Sequence, residues 1–331
     1  MHLSIMISNK CNYKCSHCIE NSSPHELEKI PLKKIIELID SAACICKNEE
    51  LKISFTGGEP FLEFEDLLES ARTANKNKAS RISCITNAYW ATSYEEALKT
   101  LKEVKASGID HIAYSYDEFH KEFVLIDHIK NAFVAANEVG LHTTFKIVLF
   151  NGKERSYDFL KKLSDVIPGT RFSVEELLSL PLGRAKNLSK DLFLFTDDIP
   201  KDKCYGIGNI LIRYDGNAYA CCCPTFSKAL FLGNIYTESL ENIYNKVKNQ
   251  LLFKILMDKG PIYFVPYLQD AGITFNKGTF VNQCHLCSDI LNYYDFNEST
   301  SSAFQNAIEE WSQNKKKEKV TLDIMSNFLG I

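Results

Sequence analysis

The feature that most constrains the fold of this chain is an alternation running through its first half. Six β-rich runs, at 3–8, 51–56, 81–86, 110–115, 142–150 and 170–175, alternate with helical stretches near 31–47, 62–76, 93–107, 121–139 and 153–165. In the stretch 121–139, Phe123, Ile126, Ile129, Phe133 and Ala136 recur at three- and four-residue steps, the spacing of one helix face. Gly140 then offers a residue suited to ending it. Strands joined by helical crossovers imply an α/β fold with a parallel sheet, either open and doubly wound or a partial barrel. Both architectures gather ligands at the carboxyl ends of the strands.

The alternation stops near residue 176. Residues 177–203, with Pro181, Gly183 and Pro200, read as an irregular connection. A β-hairpin follows, 209–214 and 217–221, joined by Asp215-Gly216, a dipeptide suited to a tight primed turn. Helical pattern returns at 238–257. Two short helices are expected at 303–311 and 320–328, separated by the charged run 315–319. The expected division is therefore a large module over 1–185 and a smaller one over 186–331.

Composition narrows the function. The formal net charge of −4 argues against a broad nucleic-acid-binding surface. No run approaches the ~20 consecutive apolar residues of a membrane span, and MHLSIMISNKC lacks the basic and apolar regions of a secretory signal. A cytoplasmic, membrane-free protein is expected. There is no GxxxxGK[ST] phosphate loop and no HExxH zinc helix. The outlying number is twelve cysteines, which in a long unsignalled chain points to metal or thiol chemistry rather than a disulfide framework.

Three of these cysteines, Cys11, Cys15 and Cys18, lie within eight residues directly after the first strand. Three thiolates on one loop can converge on an iron–sulfur cluster and leave one iron open, since such clusters usually take four cysteines. The spacing alone also suits a zinc knuckle with a fourth ligand elsewhere, such as His17. After the second strand comes Thr56-Gly57-Gly58-Glu59-Pro60, whose glycines permit close backbone approach and whose Glu59 supplies an acceptor for a ligand ammonium. A second set comprises Cys204, the run Cys221-Cys222-Cys223, and Cys284-His-Leu-Cys287. In an extended segment Cys221 and Cys223 share one face and Cys222 takes the other. This set could build a second four-ligand site, and a zinc ribbon satisfies the same spacing.

CxxxCxxC after strand one together with GGEP after strand two resembles the radical S-adenosylmethionine (radical SAM) enzymes. The resemblance covers about residues 1–185 and implies a partial (β/α)6 barrel. It implies that Cys11, Cys15 and Cys18 hold a [4Fe–4S] cluster whose fourth iron is chelated by S-adenosyl-L-methionine. Gly57, Gly58 and Glu59 would grip the methionine part, and His17 would lie beside the adenine. Asn87 and Ser115, ending strands three and four, would contact the ribose. The later segments DGNAYACCC, FLGNIYTESLENIYN and CHLC resemble the auxiliary-cluster domains called SPASM or, in shorter form, twitch. One auxiliary iron–sulfur cluster is implied, with Cys204, Cys221, Cys284 and Cys287 as ligands.

Within the family, SFTGGEPFLEFEDL, TNAYW, YSYDEFHKEFV and the CCC segment look most like the epimerases that modify ribosomally made epipeptides. That resemblance implies conversion of L-residues, chiefly Val and Ile, to D-residues in a precursor peptide. Cys222 would return a hydrogen atom to Cα, and an electron donor of the flavodoxin or ferredoxin type would be a partner. Cys223 departs from the family pattern and leaves the donor position open by one residue. Two alternatives stay open: an enzyme forming a thioether cross-link in a peptide, and a non-enzymatic metal- or cluster-binding protein. The short segment before Cys11 implies no winged-helix peptide-recognition domain there. Asp117, Glu118 and His120 are then candidate peptide contacts, a polar loop being the equal alternative. Cys44, Cys46 and Cys84 read as structural.

Overall fold

The computed structural model describes residues 1–47, 49–222 and 227–329, with side chains of the last helix described as far as Glu318. Cys223, one of the three consecutive cysteines, lies outside the described residues. The described chain divides into two compact units that interleave in sequence. The larger comprises 1–194, 208–224 and 231–248, and the smaller comprises 195–207, 225–230 and 249–331. Residues 186–331 are thus shared between the two, with the hairpin in the larger one.

The larger unit is built on one nine-stranded sheet. Its strands are β1 (His2–Met6), β2 (Lys52–Thr56), β3 (Arg81–Thr86), β4 (His111–Ser115), β5 (His142–Leu149), β6 (Phe172–Leu178), β7 (Ile207–Ile212), β8 (Asn217–Cys221) and β9 (Phe231–Asn234). They stand in the order β6-β5-β4-β3-β2-β1-β7-β8-β9, and β1 through β6 pair in parallel, each with its sequence neighbour. These six parallel strands are the run expected of a partial (β/α)6 barrel. The crossover helices are α1 (Leu32–Ile45), α2 (Phe64–Lys76), α3 (Tyr94–Ala106), α4 (Ile126–Glu138) and α5 (Ser156–Lys162). α1 shows why they dock: Ile35, Leu38, Ile39 and Ala42 form one buried stripe.

The sheet's two faces differ in chemistry. Tyr114 and Phe145 project toward the helices: the Tyr114 hydroxyl donates to the carbonyl of Ala132 in α4, and Phe145 meets Phe133 and Phe159 at ring separations of 5.1 and 5.0 Å. Because side chains alternate along a strand, the neighbours of these residues point the other way. That face is polar. His2, Ser54 and Ser83 form a chain of 2.8 Å contacts across three strands. Ser4 donates to Asn209, His111 meets Thr144, and Lys146 pairs with Glu175 at 2.6 Å. A face lined by hydroxyls, imidazoles and an ion pair suits polar ligands better than a packed apolar core does.

Three expectations change. The fourth crossover helix begins at Ile126, five residues later than the spacing indicates. Residues 117–124 are tied into turns, with the Asp117 carboxylate accepting the amides of Phe119 and His120. Phe123 therefore leaves the helix stripe and stacks on Tyr13 at 5.1 Å. The hairpin turn is also longer than a two-residue one. Gly216 donates to Arg213 and Arg213 to Asn217, so three residues make the connection and Gly216 takes a φ of 82°.

The third change lies in the smaller unit, which holds α7 (Leu251–Lys259), α8 (Val265–Asp270), α9 (Gln283–Leu291) and α10 (Glu298–Leu329), while α6 (Leu240–Asn249) falls to the larger unit as far as Lys248. α10 is one continuous helix where two short ones were expected. Lys and Glu are good helix formers, and Lys315 pairs with Glu318 one turn on, so the charged run continues the helix. Among the described residues no helix is long and apolar enough to cross a membrane.

Candidate active site

The three-cysteine loop leaves the carboxyl end of β1 and is held from two sides. On one side, Gly58 donates to the carbonyl of Ser8 and Glu59 to that of Lys10, at 2.9 and 2.8 Å. The paired glycines make this approach possible. A Cβ on Gly58 would lie 2.0 Å from the Lys10 carbonyl oxygen, and one on Gly57, whose φ is 143°, would lie 2.5 Å from that of Ser8. The close contact allowed by GGEP is thus with the chain's own backbone. On the other side, Arg184 reaches in from the segment after β6 and binds the loop carbonyls of Cys15 and Ser22.

The thiols are enclosed. Burial pushes the Cys11 thiol up to about 12 and the Cys15 thiol well above its usual range, and neighbouring cysteines raise both further. Cys11 Sγ accepts from the amide of Tyr13 at 3.4 Å and faces the Asn87 amide at 3.9 Å. Buried thiols of this kind become thiolates only against a cationic centre, and such soft donors select iron–sulfur clusters or zinc. The donor set therefore fits the cluster that the resemblance implies.

Glu59 is 1% exposed and caps the short helical turn Pro60–Glu63. Both of its oxygens accept from its own chain. Oε1 accepts from the amide of Phe61 and the Thr86 hydroxyl; Oε2 accepts from the amide of Asn87 at 2.7 Å. Burial pushes the carboxyl up to about 7 against the pull of these donors. Asn87 in turn donates from Nδ2 to Asn12 Oδ1 at 2.9 Å. Glu59 thereby ties the end of β2 to the end of β3, and Asn87 ties β3 to the cysteine loop. All three partners of Glu59 donate, so Glu59→Gln must turn an amide nitrogen toward a donor. We expect this near-isosteric change to cost about 1–3 kcal/mol. Equilibrium urea unfolding of the metal-free protein measures it, and an unchanged midpoint would mean that the carboxylate is not held as an acceptor.

His17 is 8% exposed and lies in a buried cluster rather than on an open surface. It stacks on Phe119 at 5.3 Å, meets Phe150 edge-on, and approaches Asp117 at 3.5 Å. Burial pushes its imidazole down to about 4. Asp117 also takes Nδ1 of His120 at 2.9 Å, and the charge of the two histidines holds the carboxyl well below its usual range despite its burial. Asp117 and His120 are thus turned inward rather than presented as peptide contacts. Glu118 pairs with Lys121 and Lys153. Ser115 ends β4, level with Lys146 of β5 and on the polar face.

The second cysteine set is divided. Cys204, Cys284 and Cys287 belong to the smaller unit, and the thiol of Cys287, pushed well up by burial, is raised further by the other two. Asn282 caps α9, accepting the amides of Cys284 and His285, so Cys284 and Cys287 share one helix face near its amino terminus. His285 accepts the amide of Val281 at Nδ1. Cys221, 6% exposed, ends β8 in the larger unit, and Cys222, exposed, follows it.

Arg184 and Thr86 are the site residues that sequence reasoning missed. No local motif marks them, since each acts on partners distant in the chain. The Gly183-Arg184 step inside the irregular connection is the one signal that was available.

Residues 5–163 match the radical SAM superfamily and residues 204–264 match SPASM, an iron–sulfur cluster-binding domain. The chain carries a radical SAM domain and a SPASM domain. These domains imply S-adenosyl-L-methionine, a [4Fe–4S] cluster and auxiliary iron–sulfur chemistry as cofactors. It is similar to a Bacillus subtilis protein named "Putative peptide biosynthesis protein YydG", at 27% identity over 272 residues, 81% of this chain and 84% of the relative. A Listeria welshimeri protein named GTP 3′,8-cyclase is 27% identical over 221 residues, 62% of each chain. The solved structure titled "Native anSMEcpe with bound AdoMet" has a TM-score of 0.55 at 14% identity, covering 91% of this chain and 99% of the other, and shares the fold.

Proposed function

We propose that the protein epimerises residues of a ribosomally made precursor peptide, converting L-residues, chiefly Val and Ile, to the D form. The observation that carries this reading is the end of β8, where the buried thiol of Cys221 is followed by the exposed thiol of Cys222. The similarity to YydG, named for peptide biosynthesis and spanning most of both chains, supports a peptide substrate. The thiol-rich composition suits a reducing cytoplasm.

Cys11, Cys15 and Cys18 hold the catalytic cluster in this reading. Gly57, Gly58 and Glu59 shape the edge that receives the methionine part, Glu59 acting through the backbone it fixes. Asn87 and Ser115 face the ribose and His17 lies on the adenine side. Cys204, Cys284, Cys287 and Cys221 are the auxiliary ligands. When bound, the cofactors supply removal of a hydrogen atom from a substrate Cα. The polar sheet face positions the peptide backbone for that step. Cys222 then gives its thiol hydrogen atom to the opposite face of Cα: the S–H bond breaks, the Cα–H bond forms, and the sulfur is left one electron short. One electron from an external donor of the flavodoxin or ferredoxin type and one proton from solvent restore the thiol.

The test is incubation of reduced enzyme with its precursor peptide in heavy water. Solvent deuterium at the epimerised Cα is expected, because the Cys222 thiol exchanges with solvent. Cys222→Ala should still produce 5′-deoxyadenosine yet yield no D-residue. Epimerised product without deuterium would sink the thiol-return step. A product two mass units lighter would replace epimerisation with cross-linking.

A further inference from the structure

We infer that Arg184 is a positioning residue for the three-cysteine loop, its backbone and guanidinium together fixing the loop's path by three of its carbonyls. The Arg184 amide donates to the carbonyl of Cys18 at 2.9 Å. Nε donates to that of Cys15 at 2.9 Å and Nη2 to that of Ser22 at 2.7 Å. Two of the three acceptors belong to cysteines of the motif, and one residue far along the chain holds both. The loop has little regular structure of its own, so these contacts replace a ladder that it does not form.

The residue before it explains how the approach is made. Gly183 has a φ of 55°, and a Cβ there would lie 2.2 Å from the carbonyl oxygen of Ile19. Only glycine lets the Arg184 segment lie against the loop this closely. A guanidinium suits the task because its donors form a rigid planar fork that reaches two carbonyls at once, where an ammonium is a single point charge. It also places a fixed positive charge beside the thiolates, which favours the more negative, reduced state of a cluster held there. This inference rests on reading Cys11, Cys15 and Cys18 as cluster ligands.

Three full-length variants, Arg184→Lys, Arg184→Met and Gly183→Ala, test it by hydrogen exchange and potentiometry. In the metal-free protein, amides of 11–22 should exchange about tenfold faster in all three variants, while those of β1 and α4 keep wild-type rates. After reconstitution, the midpoint potential of the loop's cluster should fall in Arg184→Met and stay near wild type in Arg184→Lys, which keeps the charge. Wild-type protection of 11–22 in Arg184→Lys and Gly183→Ala overturns the inference. Loosening spread evenly over the sheet does so too, since that marks a general structural role. If Arg184→Met fails to fold, the other two variants decide. A wild-type protein that takes up no iron would sink the cluster reading and leave the exchange result standing.

Discussion

Replacing Cys15 with alanine is expected to remove the iron held at the amino-terminal loop, and with it all cleavage of S-adenosyl-L-methionine, while iron elsewhere in the protein stays. The Cys15 side chain is 6% exposed and its thiol is held well above its usual range by burial and by its two neighbours. It is poised for a cationic partner and for little else. Its backbone is held independently, because Arg184 binds the Cys15 carbonyl, which alanine keeps. The loop should therefore retain its path and lose one ligand. A cluster left with two thiolates on this loop has neither a stable anchor nor the geometry that leaves a single iron open. Cys84→Ala is the matching control. Cys84 is fully buried in β3, and its loss should cost stability without changing iron content. Iron and sulfide analysis, electron paramagnetic resonance of the reduced protein and a cleavage assay measure the outcome. Full iron and full cleavage in Cys15→Ala would refute the ligand assignment.

Gly58→Ala should damage the same site without touching a thiol. The added methyl would sit 2.0 Å from the Lys10 carbonyl oxygen and 2.8 Å from that of Asn9. Both neighbours are backbone, so the strain cannot be relieved by turning a side chain. The loop must move, breaking the bonds from Gly58 to Ser8 and from Glu59 to Lys10 and displacing Cys11. A loss of roughly 2–4 kcal/mol is expected, in the range for overpacking combined with lost hydrogen bonds. Gly140→Ala gives the comparison. Gly140 has a φ of 71° but open space around it, so only the backbone penalty of about 1 kcal/mol applies. Urea midpoints and iron content of the two variants, measured side by side, separate steric displacement from glycine's conformational freedom.

Much of this was legible before any coordinates, for a specific reason. The βα alternation is a local pattern, and β1 to β6 each pair with a sequence neighbour, so their order follows chain order, whereas β7 pairs with β1. The CxxxCxxC loop is equally local. What escaped was set by contacts that apolar spacing does not register. The fourth crossover helix starts late because Asp117 draws the amides of Phe119 and His120 into a turn, which no apolar spacing could reveal. The last helix runs unbroken because its charged residues are good helix formers, and a polar run was mistaken for an interruption. The paired glycines were read as room for a ligand, whereas the atoms nearest them are the carbonyls of Ser8, Asn9 and Lys10.

By itself the amino-acid sequence determined the alternation of strands and helices, the strand end on which three thiols sit, and the chemistry those thiols can support. These depend on periodicity and short spacing, which a chain carries in any conformation. Only the tertiary structure decided that Glu59 spends its carboxylate on Phe61, Thr86 and Asn87, that His17 packs inward against Asp117, and that Arg184 closes over the cysteine loop. Those arrangements join residues up to 169 positions apart. Their partners are chosen by how strand ends meet in space, and backbone carbonyls, the acceptors Arg184 binds, look alike at every position of a sequence.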